Sequence, residues 1–344
     1  MRISSLAALS LIAFGAIAGC VSAASAQSAA DWDKIVADAK KEGSVTFYTG
    51  LPGNPSTKKI GEAFQKQYGI RMDVLELRAT ELRERIRSER VGNNATADVM
   101  HTSANQTRQI SNEDKTVDKL GPLPNGNRMR KDLQESWVDR DINIPTFLLN
   151  YAILVNSKQV TTPITKWADI LDPKYKGKIL ADDFRAIGGG SSYFSVTYEK
   201  FGKQFHEKLA QQNVAFTRDM REAERRVARG EYAIYLPWLL NYLPSLKGLP
   251  VNAVIPSEGV VYLPYASSVL TKAPHPNAAR VLIDFMLSEE GQAIYASEGL
   301  LPTREGMTSK LPEQYAFLSN IKLLGVSKLE LTDPMVAAAK DLYK

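Results

Sequence analysis

From Asp31 to Asn105 helical and strand-like patterns alternate strictly, and such alternation leaves few folds open. DWDKIVADAKKE sets Trp32, Ile35, Val36 and Ala39 on one helical face before Gly43 ends the turn, and SVTFYTG follows as a strand. LPGNPSTKK is a loop, leading into a helix through Phe64 to Tyr68 and a second strand, IRMDVLEL. A helix from about Thr80 to Val91 precedes a third strand marked by Val99 and Met100. The order predicts an open α/β sheet with binding loops at the strand C-termini. Those loops carry Tyr48 and Thr49, Arg78 and Thr80, and Thr102, Ser103 and Asn105. Singly, such residues serve caps and turns; their recurrence after three successive strands points to one crevice.

The rest of the chain extends the pattern. Gly121 to Arg140, with Pro122, Pro124 and Gly126, reads as a surface excursion. IPTFLLNYAILVNSK is apolar on either side of Asn150 and about twice as long as an ordinary strand, which fits a segment leaving one sheet for another. WADILDPKYKGKILADD gives a helical turn and a strand. NVAFTRDMREAERRVARGEYAIYLPWLLNYL adds a strand, a helix closed by Gly230, a strand and an aromatic-rich turn. VNAVIPSEGVVYLPYASSVLTKA brings the chain back, and PNAARVLIDFMLSEEGQAIYASEG is an amphipathic helix pair.

Asp182 to Phe194, DDFRAIGGGSSYF, places an arginine, three glycines and two serines between a strand and the helix SSYFSVTYEKFGKQFHEKLA. A helix start has unpaired N–H groups and partial positive charge, and Gly188, Gly189 and Gly190 let a ligand approach the backbone. Ser191 or Ser192 caps the helix or donates to a ligand, and Arg185 offers a two-donor fork to a carboxylate or phosphate. The plainer account is a capped helix after a flexible loop.

MRISSLAALSLIAFGAIAGCVSAASAQ has one basic residue, Arg2, an apolar run from Leu6 to Ala18, and small residues ending at Ala26, which is the pattern of a secretory leader over residues 1–26. Cys20, the single cysteine, sits in Ile17-Ala18-Gly19-Cys20, which is similar to a bacterial lipobox. Two fates stay open: release after Ala26, or lipid anchoring through Cys20. Neither leaves a disulfide within the chain, so stability rests on a packed core. Without Arg2 the balance is 42 basic against 38 acidic residues, interleaved as in ELRERIRSERVG, so nucleic acid is not an expected partner.

The chain has no G-x-S-x-G elbow, Walker A loop, G-x-G-x-x-G or H-E-x-x-H. His101, His206 and His275 are the only histidines and none lies near another in sequence, which disfavours a histidine-based triad or a zinc site. Asp182 and Asp183 are adjacent, but neighbours on a strand point to opposite faces and make a poor acid–base pair.

WADILDPKYKGKILADDFRAIGGGSSY resembles a W-x-D-L-x-x-P-x-[WY]-K-G-K segment of the periplasmic solute-binding proteins of ABC importers, in the branch that includes ferric-iron-binding proteins. APHPNAARVLIDFMLSEEGQAIYASEGLLPTREG and AKKEGSVTFYTG are similar to the C-terminal and opening segments of that family. The resemblance implies two α/β lobes joined by a hinge, a ligand in the cleft between them, and delivery to a membrane permease. Its iron-binding members use adjacent tyrosines after a G-E-[YV] turn; GEYAIYLPWLLNYL has Tyr235, Trp238 and Tyr242 separated, which suits stacking walls around an organic ligand.

The combined expectation is a monomeric, non-enzymatic binding protein without a cofactor, with lobes at 27–148, 149–262 and, on return, 263–344. Its ligand is a small organic anion, a carboxylate or phosphonate. Expected contacts are Thr49, Arg78, Thr80, Ser103, Arg185, Ser191, Ser192, Tyr193, Tyr235 and Trp238. The alternatives are a ferric or metal-complex binder and a secreted hydrolase working with carboxylates.

Overall fold

The computed structural model describes residues 30–134 and 141–344. The leader at 1–26, Cys20 and the end of the excursion at Arg140 lie outside the described residues. The opening alternation forms as expected: α1 (30–42), β1 (Ser44–Thr49), α2 (Pro55–Tyr68), β2 (Arg71–Glu76), α3 (Ala79–Val91), β3 (Val99–Ser103) and α4 (Ala104–Asp114). Local chemistry sets these boundaries. Asn54 caps α2 by accepting from the Ser56 N–H at 2.9 Å, with Pro55 in the first turn, and the helix buries Ile60 and Phe64. Fully burying a side chain such as Phe64 contributes about 1.5 to 3 kcal/mol.

After the short α5 (Lys131–Gln134) comes β4 (Ile144–Asn156), 13 residues long and buried throughout. Then follow β5 (Ile179–Asp182), α6 (Gly189–Ala210), β6 (Ala215–Thr217), α7 (Met220–Ala228), β7 (Ile234–Leu239), β8 (Val251–Val254) and β9 (Val260–Val269). The chain ends with α8 (Pro276–Leu287), α9 (Glu289–Ser297), β10 (Leu301–Pro302), β11 (Leu323–Gly325) and α10 (Thr332–Leu342).

Two parallel triplets make up most of the sheet. In one, β1 lies between β2 and β3; in the other, β5 lies between β7 and β6. Between them run β4 and β9, antiparallel to each other. The C-terminal half of β9 pairs with β3, from Tyr265 opposite Ser103 to Val269 opposite Val99. The C-terminal half of β4 pairs with β7, from Tyr151 opposite Leu239 to Val155 opposite Ile234. The long apolar run pairs with β9 along its first part and with β7 along its second, so it touches the first triplet only through β9 within one continuous sheet, and Asn150 falls opposite Tyr262.

The residues that carry the family resemblance do structural work. Trp167 is fully buried, donates its indole N–H to the Gly259 carbonyl at 2.8 Å, and packs on Tyr193. Ser288 caps α9, and a Cβ on Gly291 would lie 2.3 Å from the Phe285 carbonyl, so only glycine lets α8 and α9 meet this closely. Gln292, fully buried, donates to the carbonyls of Thr146 and Met286 and accepts from the Thr303 N–H, tying α9 to β4 and β10.

Within the segment 263–344, α10 packs along α6. Its anchor is Tyr343, whose hydroxyl meets His206 Nδ1 at 2.9 Å among Phe184, Phe194 and Phe216.

Candidate functional site

The C-terminal ends of β1 and β3 and those of β5 and β7 meet at the crossing of β4 and β9. Tyr265 of β9 donates its hydroxyl to the Gly50 carbonyl just beyond β1 at 3.0 Å. Beneath it His101 sits between the hydroxyls of Thr49, at 3.2 Å, and Thr146, at 3.0 Å. Burial pushes this imidazole down to about 3, so it stays neutral and acts as a hydrogen-bonding spacer between β1 and β4. On the rim, Asn105 in the first turn of α4 donates its amide to the Ser327 carbonyl at 2.8 Å, and the Ser327 hydroxyl donates to Ser192 Oγ at 3.4 Å. One serine on the strap before α10 thus bridges the first turns of α4 and α6.

The charged centre of this crevice is Asp182, at the end of β5. Its Oδ2 accepts the Gly190 N–H at 2.6 Å and its Oδ1 accepts the Asp183 N–H at 3.1 Å. Gly189 brings the helix start close: a Cβ there would lie 2.8 Å from the Tyr151 hydroxyl and 3.1 Å from Asp182 Oδ2. Burial outweighs these hydrogen bonds and pushes the Asp182 carboxyl up to about 6. Arg218, on the loop after β6, acts in the opposite direction from a distance. Among the described residues no basic side chain lies within ion-pair distance of Asp182. Burial, and after it the same carboxylate, raises the hydroxyls of Tyr151 and Tyr235, and Tyr151 also senses Tyr265 and Tyr242.

The residues expected from sequence divide into groups. Ser192, Ser103 and Thr49 lie at the crevice, but Thr49 Oγ1 is engaged by His101 and by the Leu51 N–H, and Ser103 Oγ caps α4 by accepting from the Gln106 N–H. Arg78 and Thr80 are exposed at the start of α3, where the Arg78 N–H donates to the Glu81 carboxylate.

The remaining expected residues are engaged with other parts of the protein. Arg185 does not present an open fork: its Nε donates to Asp183 Oδ1 at 2.8 Å, its Nη1 to the Tyr343 carbonyl at 3.3 Å, and its guanidinium covers the Phe216 ring. Ser191 closes its own turn, accepting from the Gly188 N–H and donating to the Gly188 carbonyl. Tyr193 is enclosed between Trp167 and Phe184. Trp238 is enclosed too, its indole N–H donating to the buried Glu224 carboxylate at 2.8 Å, and Tyr235 is buried in β7. The glycine run lets α6 approach β5 and Tyr151, and the helix start receives the protein's own Asp182 carboxylate where a ligand anion was expected. Sequence reasoning missed Tyr151, Tyr265 and Ser327; only the topology brings them here.

Among the described residues no group of three or more His, Cys, Asp or Glu side chains is placed to hold a metal, and no helix is long and apolar enough to cross a membrane. Three cavities, of about 300, 650 and 650 Å³, open elsewhere on the molecule. The chemistry described here, not cavity size, marks the crevice.

Residues 101–319 match the model of a family described as bacterial extracellular solute-binding protein. The chain belongs to that family. Such proteins serve ABC transporters as the solute-binding component. The solute-binding protein is 24% identical over 311 residues to a putative 2-aminoethylphosphonate-binding periplasmic protein of Salmonella typhimurium, covering 85% of this chain and 82% of that one. It also matches an uncharacterised Haemophilus influenzae protein, at 28% identity over 142 residues, spanning only 39% of this chain and 40% of the other. Its fold is similar to that of the periplasmic binding protein P5PA, with a TM-score of 0.70, 20% identity and coverage of 88% and 100% of the two chains. Iron-bound HitA from Pseudomonas aeruginosa gives 0.69, 21%, and 87% and 99%. These likenesses establish the two-lobed α/β architecture of periplasmic binding proteins.

Proposed function

We propose that the solute-binding protein captures a small organic anion that also carries an amino group, such as an aminoalkylphosphonate or an amino acid, and delivers it to the permease of an ABC importer. The observation that carries this reading is Asp182, a mostly buried carboxylate at the crevice with no basic side chain within ion-pair distance among the described residues. A ligand ammonium supplies the missing charge, with the Tyr151 hydroxyl beside it. The acidic end of the ligand then meets Arg218 and the rim formed by Ser192, Ser327 and Asn105. A ligand of the kind named for the Salmonella relative unites both groups. In this reading the protein binds without turnover and works as a monomer. Residues 27–148 and the return after 262 up to α10 form one lobe, 149–262 with α10 form the other, and β4 and β9 supply the hinge. A thermal-shift screen tests the class: a ligand with both groups should stabilise by about 2.7 kcal/mol at about 100 times its dissociation constant, and amines or phosphonates alone, at that same concentration, by clearly less.

A ferric ion is the second reading, favoured by Asp182, Tyr242 and Tyr265 each lying close enough to Tyr151 to act on its hydroxyl. Phenolate-to-iron colour on adding chelated Fe³⁺ would select it; a colourless protein would remove it.

A further inference from the structure

The cavity of about 300 Å³ lies on the first triplet, bounded by the last turn of α3, the loop before β3, the end of α4 and the turn after β9. The crevice is at the other end of α4, about 16 Å away along an 11-residue helix. The floor is apolar, formed by Ile86, Ala97 and Leu270. Set into it is Thr116, only 3% exposed, whose hydroxyl has no hydrogen-bond partner. Three cations ring the mouth. Arg90 and Lys115 have exposed side chains, and Lys272 donates only to the Asn93 side-chain oxygen, at 2.9 Å. Glu89 also lines the cavity, but its carboxylate already accepts from Tyr48, Thr96 and Arg85, so it does not neutralise the rim.

The backbone is drawn into this arrangement at a cost. Asn93, Lys115 and Lys272 adopt φ of 50°, 48° and 61°, a region that residues other than glycine seldom enter. Part of the charge has an ordinary explanation, since Arg90 and Lys115 stand at the C-terminal ends of α3 and α4, where cations balance the helix dipole. That accounts for neither Lys272, which is on no helix, nor the unpartnered Thr116 hydroxyl. A buried hydroxyl with no partner is costly unless something else supplies one.

We propose that this cavity is a second ligand site, separate from the crevice, for a small organic acid bearing two negative charges. Its short apolar body rests on Ile86 and Leu270, one acidic group accepts from the Thr116 hydroxyl, and the charges are met by Arg90, Lys115 and Lys272. Succinate is the probe. Calorimetry should detect binding by the wild-type protein below about 10 mM, and Lys115→Gln with Lys272→Gln should weaken it at least about 10-fold. Thr116→Val removes an unpaired hydroxyl at nearly constant volume. It should fold with undiminished thermal stability yet bind succinate about 3- to 10-fold more weakly. In two-dimensional NMR the amides of Lys115, Thr116 and Thr271 should shift on titration. Wild-type affinity in both variants, shifts confined to Gly190 and Ser192, or no heat at about 10 mM would each overturn the proposal.

Discussion

Replacing Asp182 with asparagine separates the stability of the ligand-free protein from its ability to bind. The carboxyl moves from 3.8 to about 6 because it is mostly buried, with two backbone N–H donors as its only close partners. A displacement of that size corresponds to about 3 kcal/mol between the protonated and charged forms in the folded state. The folded value lies above the unfolded one. The stability this group contributes is therefore fully present below pH 3.8 and is lost as pH rises through about 6. Asparagine cannot ionise, and its side-chain oxygen can still accept from Gly190. Near neutral pH, Asp182→Asn should be more stable than wild type by about 1 to 3 kcal/mol, and the advantage should shrink as pH falls towards about 4. Urea unfolding followed by tryptophan fluorescence at a series of pH values reads this directly. A variant less stable than wild type at neutral pH, or a difference independent of pH, would refute the view that Asp182 is a charge waiting for a partner.

Other outcomes follow from the packing. Arg185→Ala should cost about 1 kcal/mol, through loss of the Asp183 pair and the Phe216 contact, and should leave ligand affinity unchanged in calorimetry; a large affinity loss would return Arg185 to the site. Trp238→Phe keeps an aromatic ring but takes a donor from Glu224, so chemical unfolding should show a loss of about 1 to 3 kcal/mol, again with ligand affinity retained. If β4 and β9 act as a hinge, small-angle scattering should give a smaller radius of gyration with ligand than without, and an unchanged radius would count against closure.

The fold was largely legible because it depends on period. Strand and helix alternate from Asp31 onward in the sequence and in the structure, and the length of the run around Asn150 announces one long strand, which pairs with β9 and then with β7. The site was much less legible. Arg185 reads as a free anion donor in isolation, yet Asp183, two residues earlier, folds back onto both its N–H and its Nε, a local signal that was available. The place of Asp182 at the start of α6 depends on how closely the helix approaches β5, which no spacing rule conveys. Tyr235 and Trp238 look like pocket walls, but β7 lies inside the sheet with both faces covered, so aromatics there fill the core. Ser327 is remote from Asn105 and Ser192 in sequence, and only the path of the strap brings the three together.

The central claim is that the crevice recognises an amino group and an acidic group together, with Asp182 taking the amine. Calorimetric titration of wild type and Asp182→Asn with 2-aminoethylphosphonate and with ethylphosphonate, which lacks the amine, tests it most directly. Wild type should prefer the amine-bearing ligand by about 10- to 100-fold, the range of one charge-assisted hydrogen bond, and Asp182→Asn should lose most of that preference. Equal affinity of wild type for the two ligands, or a preference that survives in Asp182→Asn, would contradict the account.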